Sequence, residues 1–228
     1  MCIGMMLHGG VITAMGTFFV FSDYMKPALR MAALMRTPVK FIYSHDAFRV
    51  GEDGPTHQPV EHEAQLRLME KLQNHMGEDS VRVFRAADAD EMTVCWQMAM
   101  ENMDTPTALI LSRQNIKSLP EGNDYQKARK GAYVVAGSDE QYDIILLASG
   151  SEVSTLVEGA ELLRKDGVRC RVVSVPSEGL FRRQPVGYQL LVLPSEAKVF
   201  GLTAGLPVTL QGLVGCHGRV FGMNSFGF

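Results

Sequence analysis

The sequence lacks the features that mark nucleic-acid-binding, membrane and secreted proteins. Its 22 basic and 25 acidic residues are interleaved along the chain and give a net charge of −3, so no basic surface for nucleic acid is indicated. No apolar run approaches the length of a membrane span. The apolar N-terminus has neither the charged start nor the small-residue cleavage site of a signal peptide. We therefore expect a cytoplasmic protein with no nucleic-acid or membrane partner.

Cysteine is also scarce. Cys2, Cys95, Cys170 and Cys216 are widely scattered and form no C-x-x-C pair. This spacing argues against a structural zinc site and is typical of free thiols in a reducing compartment. Each cysteine is expected to be a small buried hydrophobe.

What the sequence does contain is an alternation of short apolar strands with amphipathic helices. Asp88 and Glu91 have the spacing of a capping box, which predicts the start of a helix at this point. Apolar residues at four-residue spacing predict another helix over 60–76. Further helices are predicted at 1–7, 17–34 and 153–165, and strands at 38–43, 80–84, 107–111, 132–135, 143–147, 171–175, 198–202 and 219–223.

Strands that alternate with helices are typical of α/β layers with a parallel sheet. The sequence therefore predicts an α/β fold of two consecutive parallel-sheet, three-layer units. We place the first domain at 1–120, a polar linker at 121–140 and the second domain at 141–228. The chain opens without a helix start signal and stops directly after a predicted strand, so we expect both units to be truncated.

The stretch His45–His62 is the densest group of titratable side chains in the chain. Gly51, Gly54 and Pro55 are unfavourable in a helix or a central strand, so 47–59 is predicted to be a loop after a strand. Ser112–Asn115 follows another strand, and ligand sites of parallel sheets lie beyond the carboxyl ends of strands. Composition alone fits a solvated polar turn equally well.

Aromatic residues Phe18, Phe21 and Tyr24 are spaced by three residues and share one face of the helix predicted over 17–34. Such a stripe belongs to a core more commonly than to a ligand site. It also has the chemistry to sandwich a flat heteroaromatic ring. The turn Ser149–Glu152 is interpreted as a plain βα connection, although an anion at the following helix N-terminus is an alternative.

The segment Gly51–Pro59, GEDGPTHQP, resembles transketolase, a family of thiamine-diphosphate enzymes. Deoxyxylulose-phosphate synthases share the shorter DGPTH core, but the flanking Gly-Glu and Gln-Pro favour transketolase. The other segments that agree, in the order of the family, are HGG at 8–10, TFFVF at 17–21, HD at 45–46, SRQN at 112–115 and SGSEV at 149–153.

The resemblance implies transfer of a two-carbon ketol unit from a ketose phosphate to an aldose phosphate in the pentose phosphate pathway. The cofactor would be thiamine diphosphate with Mg²⁺ or Ca²⁺, held between the pyrimidine-binding domain of one subunit and the diphosphate-binding domain of the other in a homodimer. Phe18, Phe21 and Tyr24 would line the aminopyrimidine pocket.

The resemblance also implies how the sugar phosphate is held. His45 and Arg113 would bind its phosphate group, because the guanidinium fork matches phosphate oxygens. Asp53 would accept a hydrogen bond from a substrate hydroxyl. His57 would be the catalytic residue that exchanges a proton at the reacting oxygen.

The chain departs from the family in what it omits. Ala47-Phe48-Arg49 replaces the Ser-x-Gly of many members, and the family's catalytic glutamate would fall before Met1. The diphosphate-binding domain with its metal motif is absent. We therefore expect the chain alone to be inactive. The alternatives are a non-catalytic remnant that binds or dimerises, and a separately encoded subunit, against which the missing glutamate counts.

Overall fold

The structure is a computed structural model that describes residues 1–137 and 141–227. Residues 138–140 of the predicted linker, and residue 228 of the second predicted domain, lie outside the described residues. The strands are β1 (Ala14–Phe18), β2 (Lys40–Ser44), β3 (Arg82–Arg85), β4 (Thr107–Ile110), β5 (Tyr133–Ala136), β6 (Ile144–Ala148), β7 (Cys170–Ser174), β8 (Val199–Leu202) and β9 (Arg219–Phe221). The α-helices are α1 (Cys2–His8), α2 (Ser22–Leu34), α3 (His62–Glu70), α4 (Ala89–Glu101), α5 (Glu152–Lys165), α6 (Glu178–Arg182), α7 (Val186–Val192) and α8 (Val208–Gln211).

The first sheet is parallel, with strand order β1-β2-β4-β3. Its register runs from Ala14 opposite Lys40 to Phe18 opposite Ser44 at the β1–β2 pair. Because these strands point the same way, the residues that follow each of them gather at one edge of the sheet.

The second sheet has the order β5-β7-β6-β8-β9 and is mixed, because β5 runs antiparallel to β7 while the other pairs are parallel. The predicted α/β class and the two consecutive sheets are confirmed. β5 lies inside the stretch 121–140 and forms the edge of this sheet, which adds an antiparallel strand to a sheet predicted as parallel. The domain boundaries stay a prediction.

Three apolar clusters fill the layers of the fold. One lies between the first sheet and α1, α2 and α3, and another between the second sheet and α6, α7 and α8. The middle cluster joins the two units, since it contains Leu109 of the first sheet, Leu146 of the second, Cys95 of α4 and Leu156 of α5. The two sheets therefore share one continuous core.

Helix α3 is shorter than the helix predicted over 60–76, and the face that it buries is not the predicted apolar face. Leu68, Leu72 and Met76 of the predicted apolar stripe are exposed. The side chains that α3 buries are instead mostly charged or polar: His62, Glu63, Leu66, Arg67 and Glu70. The buried face of α3 therefore carries ion-paired side chains, whereas four-residue spacing predicts that it carries apolar ones.

One other local prediction is corrected. Thr17 and Phe18 belong to β1, and α2 begins only at Ser22. The capping box of α4 is confirmed in part, because the Glu91 amide donates to Asp88 Oδ1 at 2.9 Å.

The buried charges centre on Arg85, which ends β3 and is 1% exposed. Its guanidinium lies 2.8 Å from Asp46 Oδ2 and 2.5 Å from Glu152 Oε2. Asp46 follows β2 of the first sheet, whereas Glu152 opens α5 of the second unit. Burial alone would lower the pKa of Arg85, but Glu152, Asp46 and Glu63 raise that pKa well above its ordinary value.

A second buried arginine extends this set. Arg67 of α3 lies 3.2 Å from Glu63 Oε1 and 3.1 Å from Glu70 Oε2. It also donates to the hydroxyl of Ser149 at 3.2 Å, and Ser177 donates to Glu70 at 2.7 Å. Because Ser149 and Ser177 follow β6 and β7, the charges of the first unit are satisfied by groups of the second.

The two units approach each other closely at Gly150. Its φ is +67°, and an added Cβ would lie 2.6 Å from Cζ of Arg85, which cannot move away from its partners. We expect Gly150→Ala to lower the free energy of unfolding by about 3–5 kcal/mol, as breaking a buried ion pair does. Gly167→Ala is the matched control, since its φ is +81° and its Cβ would meet nothing within 4 Å. Gly167→Ala should lower the free energy of unfolding only by the backbone strain, about 1–2 kcal/mol. Urea unfolding measures the free energy of unfolding of both variants, and equal losses would contradict the close approach of Gly150 to Arg85.

Glu91 makes the stability depend on pH. Burial raises its pKa to about 7, although the Ala87 amide and the Ser174 hydroxyl donate to it. The folded state therefore binds this proton more tightly than the unfolded state does. Stability is lost as pH rises from about 4.5 to about 7, by up to about 3 kcal/mol. We expect Glu91→Gln to remove this loss, and exposed Glu161→Gln to keep it, in urea unfolding at pH 5 and pH 8. Parallel pH profiles of Glu91→Gln and the parent chain would rule out the effect.

Candidate functional site

The candidate site lies at the carboxyl edge of the first sheet. β1 ends at Phe18, β2 leads directly into His45, and β4 leads into Ser112 and Arg113. A short 3₁₀ turn at Phe19–Phe21 then carries the chain from β1 into α2. The parallel topology therefore brings together segments that are far apart in the sequence.

Four aromatic rings meet at this edge. The rings of Phe18 and His45 are stacked, with centroids 3.7 Å apart and an interplanar angle of 21°. Phe21 is stacked with Phe18 at 6.1 Å and meets His57 edge-on at 5.3 Å. Side chains from β1, from the turn after it and from the loop after β2 thus form one aromatic group.

The loop after β2 is shaped by glycine. Gly51 and Gly54 have φ of +82° and +72°, in the left-handed region that glycine tolerates. Gly51 begins a first 3₁₀ turn, Gly51–Asp53, and Gly54 separates it from a second, Pro55–His57. An added Cβ on Gly51 would lie 2.9 Å from Nη2 of Arg113, so the guanidinium lies directly on the Gly51 backbone.

The two site histidines are held in the same way. Nδ1 of His45 lies 3.0 Å from the Ser44 hydroxyl, and Nδ1 of His57 lies 2.9 Å from the Thr56 hydroxyl. His45 adopts a φ of +61°, which is unfavourable for a residue with a Cβ. Strain of this kind persists where the surrounding contacts require it, and it is concentrated at functional sites.

Asp46 fixes the edge from beneath. It is buried, and one of its oxygens accepts from Arg85 Nε at 3.0 Å and from the Ser112 hydroxyl at 2.9 Å. These bonds join the exits of β2, β3 and β4, and Asp46 and Ser112 are the sequence neighbours of His45 and Arg113. Arg85 was not predicted as a functional residue, because its only signal in the sequence is a charged residue at the end of an apolar strand.

The predicted site residues are not all equally close. Phe18, Phe21, His45 and His57 are partly buried, and Phe18 makes ring contacts with each of the other three. Tyr24 approaches Phe21 at 6.2 Å but is 77% exposed. Asp53 lies in an exposed turn of the same loop as His57, and Arg113 is exposed beside Gly51.

The aromatic group fits a flat heteroaromatic ring. One face of Phe18 is covered by His45, while Phe21 remains partly accessible and Tyr24 extends beside it into solvent. Stacked and edge-on arrangements with centroids 4.5–7 Å apart are the favourable geometries for such rings. These residues could therefore hold the aminopyrimidine ring of a thiamine cofactor.

A cleft of about 570 Å³ lies next to this edge, between the two units. It is lined by Phe48 and Arg49 of the loop, Asn115 and Lys117 after β4, and Glu152 at the start of α5. Sequence reasoning missed this cleft, because its walls come from both units. The Ser149–Glu152 turn, interpreted as a plain connection, lines it and also binds Arg85 through Glu152.

No helix in the described part of the chain is long and apolar enough to cross a bilayer. The four cysteines, all within the described residues, are free thiols. Cys95 and Cys170 are buried as expected, whereas Cys216 is exposed.

Comparison with known proteins identifies both halves of the chain. Residues 1–118 match the transketolase pyrimidine-binding domain, and residues 131–228 match the transketolase-like C-terminal domain. The chain is 45% identical to the transketolase of Halalkalibacterium halodurans over 227 residues, which is 98% of this chain and 33% of that protein.

Solved structures agree. Transketolase from Leishmania mexicana superposes with a TM-score of 0.88 at 37% identity, over 99% of this chain and 31% of that one. A split-gene transketolase described as an inactive β4 tetramer has a TM-score of 0.72 over 99% of this chain and 71% of that one; at 20% identity it shows the fold alone. The chain spans about a third of the length of the curated relatives it matches. On the two domain matches and the shared fold, the chain belongs to the transketolase family.

Proposed function

We propose that this chain forms the pyrimidine-ring and sugar-phosphate side of a transketolase site. The reaction would transfer a two-carbon ketol unit between a ketose phosphate and an aldose phosphate, in the cytoplasmic pentose phosphate pathway. The observation that carries the proposal is the convergence of Phe18, Phe21, His45 and His57 in one aromatic group at the carboxyl edge of the sheet.

Phe18, Phe21 and Tyr24 would hold the aminopyrimidine ring by stacking and exclude water from one of its faces. Thiamine diphosphate, when bound, supplies the nucleophilic carbon and the electron sink of the reaction. Its diphosphate and Mg²⁺ or Ca²⁺ would be held by the diphosphate-binding domain of the second subunit in a homodimer of the full-length protein. Aromatic residues cannot supply the oxygen ligands that such hard cations require.

His57 would exchange a proton with the reacting oxygen. Nδ1 of His57 contacts the Thr56 hydroxyl. Within the described part of the chain, the other ring nitrogen, Nε2, is therefore the one available to the substrate. An imidazole is suited to this task because its proton exchanges near neutral pH. The oxygen atoms of Asp53, in the same loop, would accept a hydrogen bond from a substrate hydroxyl.

Arg113 and His45 would bind the phosphate of the sugar. Both lie beside the strand ends, and the exposed guanidinium of Arg113 lies against Gly51, where its planar fork can meet two phosphate oxygens. His45 follows β2 and Arg113 follows β4, and these two strands are parallel neighbours in the sheet. A phosphate between them would lie within the same edge as the aromatic group.

The test is a chimaera in which this chain replaces the aligned third of the Halalkalibacterium halodurans transketolase. We expect ketol transfer from the chimaera with thiamine diphosphate and Mg²⁺. We expect none from the 228-residue chain alone, since the domains that it matches are the pyrimidine-binding and C-terminal domains, and neither is proposed to hold the diphosphate. A folded but inactive chimaera would favour a non-catalytic remnant. Turnover by the chain alone would contradict the proposed division of the site between subunits.

In the chimaera, Arg113→Lys should raise KM for the sugar phosphate by roughly 10–100-fold, because a point charge replaces a bidentate fork. The kcat value should change less, since the phosphate is remote from the reacting bond. Exposed Arg219→Lys on β9 is the matched control and should leave both constants unchanged. A KM unchanged by Arg113→Lys would remove Arg113 from the site.

A further inference from the structure

A second group of ligating side chains lies at the N-termini of α2 and α3 and has no role in the proposed reaction. Asp23, Glu61 and His62 each offer one ligand atom, and these atoms lie within 4.8 Å of one another. Asp23 is in the first turn of α2, and Glu61 and His62 begin α3. The two helices contribute to one cluster although Asp23 and Glu61 are 38 positions apart in the sequence.

His62 is the unusual member, since it is 2% exposed and packs against Phe19 at 5.9 Å. Its Nε2 lies 3.2 Å from Asp23 Oδ2. A neutral imidazole that is hydrogen-bonded to a carboxylate through Nε2 carries its proton there, so Nδ1 has a free lone pair. A carboxylate on one ring nitrogen is the usual partner of a histidine whose other nitrogen binds a metal.

Nδ1 of His62 is buried and has no hydrogen-bond partner among the described residues. It faces Oε2 of Glu61, which is also buried and without a hydrogen bond, at 3.7 Å. This distance is too long for a hydrogen bond. Two donors that each lie about 2.0–2.2 Å from one ion can be up to about 4.2 Å apart, so an ion fits between these atoms.

The neighbouring charges allow a cation to bind. Lys26 lies 2.7 Å from Asp23 Oδ1 and also contacts Gln65, so its positive charge repels a cation bound nearby. The positive ends of the helix dipoles at the N-termini of α2 and α3 repel a cation as well. Against these positive charges stand the two carboxylates of Asp23 and Glu61, and the Lys26 side chain is partly exposed, so solvent screens its charge. Asp23 and Glu61 are 47% and 34% exposed, which leaves a path for an ion to enter.

We propose that His62 Nδ1 and Glu61 Oε2 bind a divalent transition-metal ion, with Asp23 orienting the imidazole through its Nε2. Imidazole with carboxylate oxygens is the ligand set of zinc and its neighbours rather than of magnesium. The ion would join α2, which carries Tyr24, to α3, which follows the His57 loop. It is separate from the magnesium of a thiamine cofactor, and its presence does not depend on the proposed ketol transfer.

The experiment is calorimetric titration of the 228-residue chain with Zn²⁺, with Cys216→Ser in every sample to remove the exposed thiol. We expect one ion per chain. His62→Gln and Glu61→Gln should weaken binding at least tenfold because they remove ligands, and Asp23→Asn should weaken it by about 10–100-fold. Exposed His75→Gln is the matched control and should bind as the parent does.

Circular dichroism checks that each variant is folded. If substitution of the buried His62 by Gln unfolds the chain, the Zn²⁺ affinities of Glu61→Gln and Asp23→Asn test the proposal instead. The side chains of Glu61 and Asp23 are partly exposed, so these substitutions should leave the fold intact. The absence of Zn²⁺ binding, or binding that none of these three substitutions weakens, would overturn the proposal. His62 would then serve only as the hydrogen-bond partner of Asp23.

Discussion

The structure depends on the ion pairs of one buried guanidinium. Arg85 ends a strand of the first sheet and contacts Asp46 of that sheet and Glu152 of the next unit. A buried charge without partners is strongly unfavourable, so these carboxylates must be in place whenever the two units pack. Gly150 is required beside it, because any side chain there would meet the guanidinium. The packing of the two sheets is therefore specified by charge as well as by the apolar core that they share.

The same contacts position the candidate site. Asp46 accepts from Arg85 and from Ser112, and it is followed by the loop that carries His57 and preceded by His45. The exits of three strands are thus fixed relative to one another from below. The aromatic group above them, with Phe18 stacked on His45, is built on this fixed edge. Precise placement of site residues by buried partners is what a ligand site requires.

Much of this was predictable from the sequence. The alternation of strands and helices predicted the α/β class, and the GEDGPTHQP segment indicated the family. The face of α3 was not predictable from apolar spacing, because Arg67, Glu63 and Glu70 are buried through partners such as Ser149, which is 82 residues from Arg67. The helix predicted from residue 17 was wrong at its start, because the sheet extends through Phe18 and hydrophobic spacing does not distinguish a strand end from a first turn. The cleft depends on both units and has no local signal.

Hydrogen exchange at increasing urea concentration, followed by mass spectrometry in β4 and in β7, tests the central claim most directly. If the Arg85 ion pairs and the shared core make the two sheets one cooperative structure, amides of both strands will become exposed in a single transition with one midpoint. Two separate midpoints, with either strand still protected after the other has exchanged, would contradict the account.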